Sequence, residues 1–274
     1  MSVSSVVGNR RSAKADAMIV FVAQDAKNFK ASEKSLVSEI PHLSPLFESK
    51  DFTGKALQTG LVYGGSATTS RRVILVGLGE METVTPERIR RAAAAGTKRA
   101  AANGCSHVAF EISSLNGLDC SAVAQAVSEG SILSQYRFDK YKTESKNSGT
   151  GIVTKVTLVV DKKDQKAVAE GARVGQSIID GVILARDLAN APNNEIYPET
   201  LAKRAVEAGR KAGFKVTVFN KKKITELKMG GLLAVNAGSV RPPVFIVMEY
   251  LKGPKGEKPL VLVGKGITFD TGGI

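Results

Sequence analysis

Lys265 and Asp270 are the pair of side chains best placed to do chemistry. They stand five residues apart in the run Lys258-Pro-Leu-Val-Leu-Val-Gly-Lys-Gly-Ile-Thr-Phe-Asp-Thr-Gly-Gly-Ile274. The wholly apolar stretch 260–263 predicts a strand buried on both faces. It would deliver Gly264, Lys265 and Gly266 to its carboxyl end, the edge where open α/β sheets place their ligands. A phosphate-binding P-loop is excluded. It needs a glycine five positions before the Gly-Lys pair and a Ser or Thr after it, where this chain has Pro259 and Gly266. Taken alone, a lysine and an aspartate on a glycine-rich loop are most often a surface ion pair.

Two earlier segments frame that loop. In Asn190-Ala-Pro-Asn-Asn-Glu-Ile-Tyr-Pro198, Pro192 blocks helix continuation, Asn193 and Asn194 favour a turn, and Pro198 opens a helix expected over 200–212. In Leu227-Lys-Met-Gly-Gly-Leu-Leu-Ala-Val-Asn-Ala-Gly-Ser239, the paired glycines fit a helix packed closely on another element. Arg241-Pro242-Pro243 then leads into a strand at 244–248.

Upstream, short β-branched runs at 17–23, 72–77, 107–112 and 155–160 predict strands, while the Ala/Arg-rich stretch 86–102 and the stretch 119–136 predict helices. Strand and helix alternate, which predicts an α/β fold with a mixed, largely parallel sheet. Residues 139–151 read as a surface loop and 1–12 as a frayed terminus, with a short organelle-targeting segment as the other reading. A long helix is expected over 164–189, burying one face through the rows Val174, Ile178, Val182 and Gly175, Ile179, Ile183. The domain junction falls on or near it, giving an N-terminal α/β domain over 1–163 and a second unit over 164–274.

Composition narrows the rest. With 43% hydrophobic and 24% charged residues, the chain has ordinary globular composition, and no apolar run approaches the roughly 18 residues of a membrane span. Cys105 and Cys120 have neither disulfide-framework nor zinc-finger spacing, and His42 and His107 read as structural. The net charge of +13 invites an anionic partner such as nucleic acid. However, the basic clusters at 140–146, 162–166 and 221–223 come without an RNA- or DNA-reading motif, so a solvated basic surface is the ordinary reading.

Val263-Gly-Lys-Gly-Ile-Thr-Phe-Asp-Thr-Gly-Gly-Ile274 resembles, nearly residue for residue, the metal-binding strand and loop of the leucyl aminopeptidase (cytosol aminopeptidase) family. The 190–198 and 229–243 segments resemble that family's in the same order. The resemblance is specific over 171–274. It implies the first, incomplete part of an α/β metallopeptidase domain after the N-terminal domain. It also implies that Lys265 ligates one divalent ion, that Asp270 bridges two, and that the ions are manganese or zinc. Peptide substrates, a homo-hexamer and a cytoplasmic location follow from the same resemblance, with a plastid or other organelle as the alternative. The physical demand on Lys265 is severe. A metal needs a neutral amine, and an ordinary lysine near pKa 10.4 is charged at pH 7, so burial and nearby dications must suppress its proton. The carboxylate of Asp270 is a hard ligand able to span two ions.

The family's site also uses a second lysine, another aspartate and an Asn-Thr-Asp-Ala-Glu-Gly-Arg run that follow such a loop. Residues 1–274 contain none of them, so no complete catalytic set is expected here. Each ion needs about four donors, so the 274-residue polypeptide by itself is expected to show no appreciable peptidase activity. The competing reading is a non-catalytic basic binding or assembly protein with an acidic partner. A nucleotide-binding α/β protein is a third reading, without a GxGxxG or P-loop motif to support it.

Overall fold

The computed structural model describes residues 1–11, 13–65, 68–143 and 151–268. The chain forms two compact units, Met1–Leu184 and Ala185–Ile274.

The first unit is built on a six-stranded sheet of β1 (Ser2–Val7), β2 (Ala17–Ala23), β3 (Thr59–Tyr63), β4 (Arg72–Gly79), β5 (His107–Glu111) and β6 (Lys155–Val160), in the order β1-β6-β5-β2-β4-β3. All pairings are parallel except β3 with β4, so the mixed, largely parallel α/β sheet expected from the sequence is present. Strand β2 shows why its sequence is wholly apolar. Met18, Val20 and Val22 enter one core with Leu36, Leu43, Phe47 and Phe52, while Ile19 enters the other with Ile89, Phe110 and Val127. A strand covered on both faces has no side that can be polar.

Helices α1 (Ala26–Glu39) and α2 (Ser44–Glu48) supply the first core, and α3 (Pro86–Ala102) and α4 (Cys120–Leu133) the second. Thr85 caps α3 by accepting the Arg88 N–H at 3.2 Å, and Pro86 occupies the first turn, where its missing N–H costs nothing. The Ala-rich face of α3 lets it lie close on the sheet: a Cβ on Gly96 would stand 2.8 Å from Ile19 Cγ2. The long helix α5 (Gln165–Asn190) packs its beginning on α4 through Gly171, whose added Cβ would meet the Ser121 carbonyl oxygen at 2.1 Å. Its buried stripe is Val168, Gly171, Gly175 and Ile179, whereas Ile178 is exposed. Of the two rows expected, only that of Gly175 and Ile179 faces the core, because the small residues are what permit the close crossing with α4.

The expected frayed terminus is instead an edge strand. Ser2 to Val7 pair in parallel with Lys155 to Val160, so the partner strand imposes order that the serine-rich sequence does not announce. His107 is engaged in the sheet, its Nε2 2.8 Å from Thr157 Oγ1, which fits a structural role. Of the surface loop expected over 139–151, residues 144–150 lie outside the described residues. Among the described residues no helix is long and apolar enough to cross a membrane.

The second unit contains α6 (Pro198–Ala212), β7 (Lys215–Phe219), α7 (Lys221–Glu226), α8 (Gly230–Asn236) and β8 (Phe245–Glu249). Strands β7 and β8 form a two-stranded antiparallel sheet under α6, whose Gly209 lies so close that a Cβ would meet Val216 Cγ2 at 2.5 Å. Gly213 ends α6 in the left-handed conformation (φ 76°), where its lack of a side chain removes the steric cost. Two expectations fail here. Gly230 and Gly231 face open space rather than a closely packed element. Residues 260–263, expected as a buried strand, have no regular structure and are exposed, because a doubly covered parallel strand needs neighbours that the β7–β8 pair does not supply.

Candidate functional site

The three segments singled out in the sequence meet within the second unit. The connection after α5 turns as Pro192 O accepts the N–H groups of Glu195 and Ile196, both at 2.9 Å. Thr200 Oγ1 accepts the Tyr197 N–H at 2.9 Å and donates at 2.7 Å to Glu195 O, which fixes the entry into α6. The guanidinium of Arg241 stacks 4.0 Å from the centroid of the Tyr197 ring, joining the second segment to the first. Arg241 is itself held, since its N–H donates to Ser239 Oγ at 3.1 Å and its carbonyl accepts from Asn236 Nδ2 at 2.8 Å.

The third segment joins at a cavity of about 340 Å³ lined by Leu188, Ile196, Leu201, Gly266, Ile267 and Thr268 among others. Ile267 and Thr268 thus lie against the end of α5 and the start of α6. The Arg241–Tyr197 stack was missed in the sequence. Its only local signal is an aromatic and an arginine each placed immediately before a proline, which fixes backbone but does not reveal contact.

Lys265 lies on the exposed stretch just before this cavity, and Asp270 lies outside the described residues. The burial expected for Lys265 is therefore absent: the apolar run that was to supply it is itself exposed. Among the described residues no group of three or more His, Cys, Asp or Glu side chains could hold a metal ion. A two-ion centre needs several carboxylates, so the described residues alone do not fit one, and no reaction step can be routed through metals held by them.

Architecture and motif order define the class first: an N-terminal α/β unit followed by a second, smaller α/β unit that carries a Gly-Lys-Gly loop. Comparison with known proteins supplies the family. Residues 19–145 match the N-terminal domain of the cytosol aminopeptidase family, and residues 183–274 match that family's catalytic domain. The chain belongs to the cytosol aminopeptidase family.

A probable cytosol aminopeptidase of Roseiflexus castenholzii is 39% identical over 242 residues, covering 88% of this chain and 49% of that protein. The cytosol aminopeptidase of Pseudomonas aeruginosa is 37% identical over 235 residues, covering 85% and 47%. A tomato leucine aminopeptidase mutant shares the fold with a TM-score of 0.78 at 23% identity, over 99% of this chain and 55% of that one. The bottromycin maturation enzyme BotP, solved in complex with Mn, aligns with a TM-score of 0.66 at 26% identity, over 86% and 45%. The chain spans about half the length of these relatives.

Proposed function

We propose that the protein acts as a metal-dependent leucyl aminopeptidase that removes N-terminal residues from peptides in the cytoplasm. The observation that carries this reading is the ordered match of both family domains, residues 19–145 and 183–274, the second of which includes the Gly-Lys-Gly run. In this reading Lys265 and Asp270 are the chain's contribution to a pair of divalent ions, manganese or zinc. Such ions supply a water activated at neutral pH and a Lewis acid for the scissile carbonyl. Lys265 would donate a neutral amine, and Asp270 would offer one oxygen to each ion. Gly264 and Gly266, which have open space around them, leave the loop backbone free to approach such ions. The assembled enzyme is proposed to be a homo-hexamer.

The test is a continuous chimera of residues 1–274 and the C-terminal half of the Pseudomonas aeruginosa cytosol aminopeptidase. It is expected to hydrolyse leucine p-nitroanilide when manganese is added, and Lys265→Met is expected to lower kcat by about 100-fold or more and to lower the bound-metal stoichiometry. Full activity and unchanged metal content in that variant would refute the assignment. Residues 1–274 alone are expected to be inactive with the same substrate and metal.

A further inference from the structure

A second cavity of the second unit, of about 470 Å³, lies between α6 and the end of β7 and shares no lining residue with the one that holds Ile267. The sequence lays it out along α6. Glu199, Ala202, Lys203 and Val206 recur at three- and four-residue steps, so they share one face of that helix, and Val218 and Val244 complete the wall. An apolar wall with a few polar groups, in a volume between roughly 300 and 1,000 Å³, is the ordinary form of a small-molecule site. The charged groups decide what it would take. Oε2 of Glu199 is buried and has no hydrogen-bond partner. An unpaired buried carboxylate oxygen is costly, so a cation entering the cavity gains more there than at a solvated carboxylate. Lys203 stands one turn further along the same face and, among the described residues, is in no ion pair, whereas Glu207 is held by Arg204 at 3.2 Å. A ligand with an ammonium and a carboxylate on one carbon, beside an aliphatic group, matches all three surfaces.

We propose that this cavity binds a free α-amino acid with an aliphatic side chain, its ammonium on Glu199, its carboxylate on Lys203 and its side chain against Val206, Val218 and Val244. A peptide N-terminus would bring the ammonium without the adjacent carboxylate and leave Lys203 unmatched, and a simple alkylamine would do the same. Binding needs nothing from Lys265 or from a metal. Its meaning rests on the function proposed above: an aminopeptidase releases such amino acids, so occupancy would register product at a place apart from the Gly-Lys-Gly loop.

The experiment titrates L-leucine into the 274-residue chain, without metal, by isothermal calorimetry. One-to-one binding with a Kd of about 0.1–1 mM is expected for a ligand of this size. Leucine amide, 4-methylpentanoate and glycine each lack one of the three matched groups and are expected to bind about 10-fold more weakly or worse. Glu199→Gln keeps the side-chain shape and is expected to weaken leucine by about 10-fold or more while the ligand-free Tm holds or rises. Val206→Trp, at an exposed position of α6, fills the cavity and is expected to abolish binding. Lys265→Met is expected to leave leucine affinity unchanged, which separates failure of this site from failure of the proposed function; loss of binding in that variant would place the amino acid at the loop and overturn the proposal. No binding at about 10 mM leucine, an affinity that Glu199→Gln leaves unchanged, or amide and 4-methylpentanoate bound as tightly as leucine would each overturn it as well. Dimerisation of the chain that Val206→Trp abolishes would do the same, by assigning the groove to a second copy.

Discussion

Replacing Gly171 with alanine tests how α5 is anchored, and two other glycines of the same helix provide the scale. A methyl group at Gly171 would sit 2.1 Å from the Ser121 carbonyl oxygen and 2.8 Å from its carbon, both backbone atoms of α4 that cannot rotate away. Relief requires the helices to part by roughly 1 Å, and overpacking of this kind costs about 1–3 kcal/mol. Against it stands the preference of a helix interior for alanine over glycine, about 1 kcal/mol. With rigid backbone as the obstacle the clash wins, so Gly171→Ala should destabilise by about 1–2 kcal/mol. Gly181 has nothing within 4 Å of an added Cβ, so Gly181→Ala should gain about 0.5–1 kcal/mol from propensity alone. Gly175 is intermediate, with Gln125 O at 3.1 Å and Ser128 Cβ at 3.2 Å, and its alanine variant should fall between the two. The outer variants then differ by about 1.5–3 kcal/mol, or about 3–12 °C in Tm for a unit of this size. Thermal and urea unfolding of the 274-residue chain by far-UV circular dichroism reads the order directly. If Gly171→Ala melts at or above the wild-type temperature, the close crossing of α5 on α4 is wrong.

Three charged sites of the first unit yield further predictions. Glu129 is buried and bound by Arg90, with Nε at 2.7 Å and Nη2 at 2.6 Å from Oε2, while Gln125 donates to its other oxygen at 2.9 Å. Arg90→Leu should therefore cost about 3–5 kcal/mol in urea unfolding, and Arg90→Leu with Glu129→Leu should recover most of it; a double variant no better than the single would contradict this. Asp16 is pushed up by burial, but hydrogen bonds from His107 N and Ser106 N outweigh that and hold its carboxyl below the usual aspartate value of 3.8. The unfolded chain protonates first on acidification, so this stabilisation is present above pH 3.8 and lost as pH falls through the native value. Asp16→Ala should cost about 1–3 kcal/mol at pH 7 and flatten the acid slope of stability, and an unchanged slope would count against the assignment. Glu111 is raised above 4.5 by burial, with Arg10 opposing the rise at 3.2–3.3 Å. Its ionisation disfavours the native state as pH climbs through that raised value, so Arg10→Met should destabilise more at pH 8 than at pH 5. Partial exposure of Glu111 holds the loss to about 1–2 kcal/mol, and equal losses at both pH values would rule the coupling out.

Local pattern sufficed wherever it agreed with the final environment. Strands β2, β4 and β6 are β-branched because both of their faces are buried, and α3 declares itself through Thr85, Pro86 and its alanines. Strand β1 was illegible because half of its six residues are serines, and only the register with β6 makes it a strand. The alternating Lys215-Val-Thr-Val-Phe219 is a regular strand pattern, but it was overshadowed by the more conspicuous motifs on either side of it. At the candidate site the stacking of Arg241 on Tyr197 and the shared cavity of Ile196 and Ile267 were foreshadowed only by motif order. Segments some 44 and 71 residues apart in sequence leave no local periodicity to read.

The failure of 260–263 to form its strand and the exposure of Lys265 have one physical cause. A run apolar on every side chain specifies a strand only when sheet neighbours and covering layers exist, since an isolated extended segment leaves its backbone bonded to water and its side chains unburied. The first unit meets that condition internally, with six strands and helices on both faces enclosing β2. Among its described residues the second unit offers two antiparallel strands with α6 and the short α7 against them, which is too little to enclose a further doubly covered strand. A lysine that is to donate a lone pair to a metal needs the same enclosure, because a dry, low-dielectric pocket is what makes the neutral amine the better state. The sheet that covers Leu260 and Val263 would also shut water away from the residue two positions further on. In the function proposed above, ordering of 260–263 as a strand and readiness of the proposed metal-binding loop would therefore be one event, driven by apolar burial that precedes any chemistry.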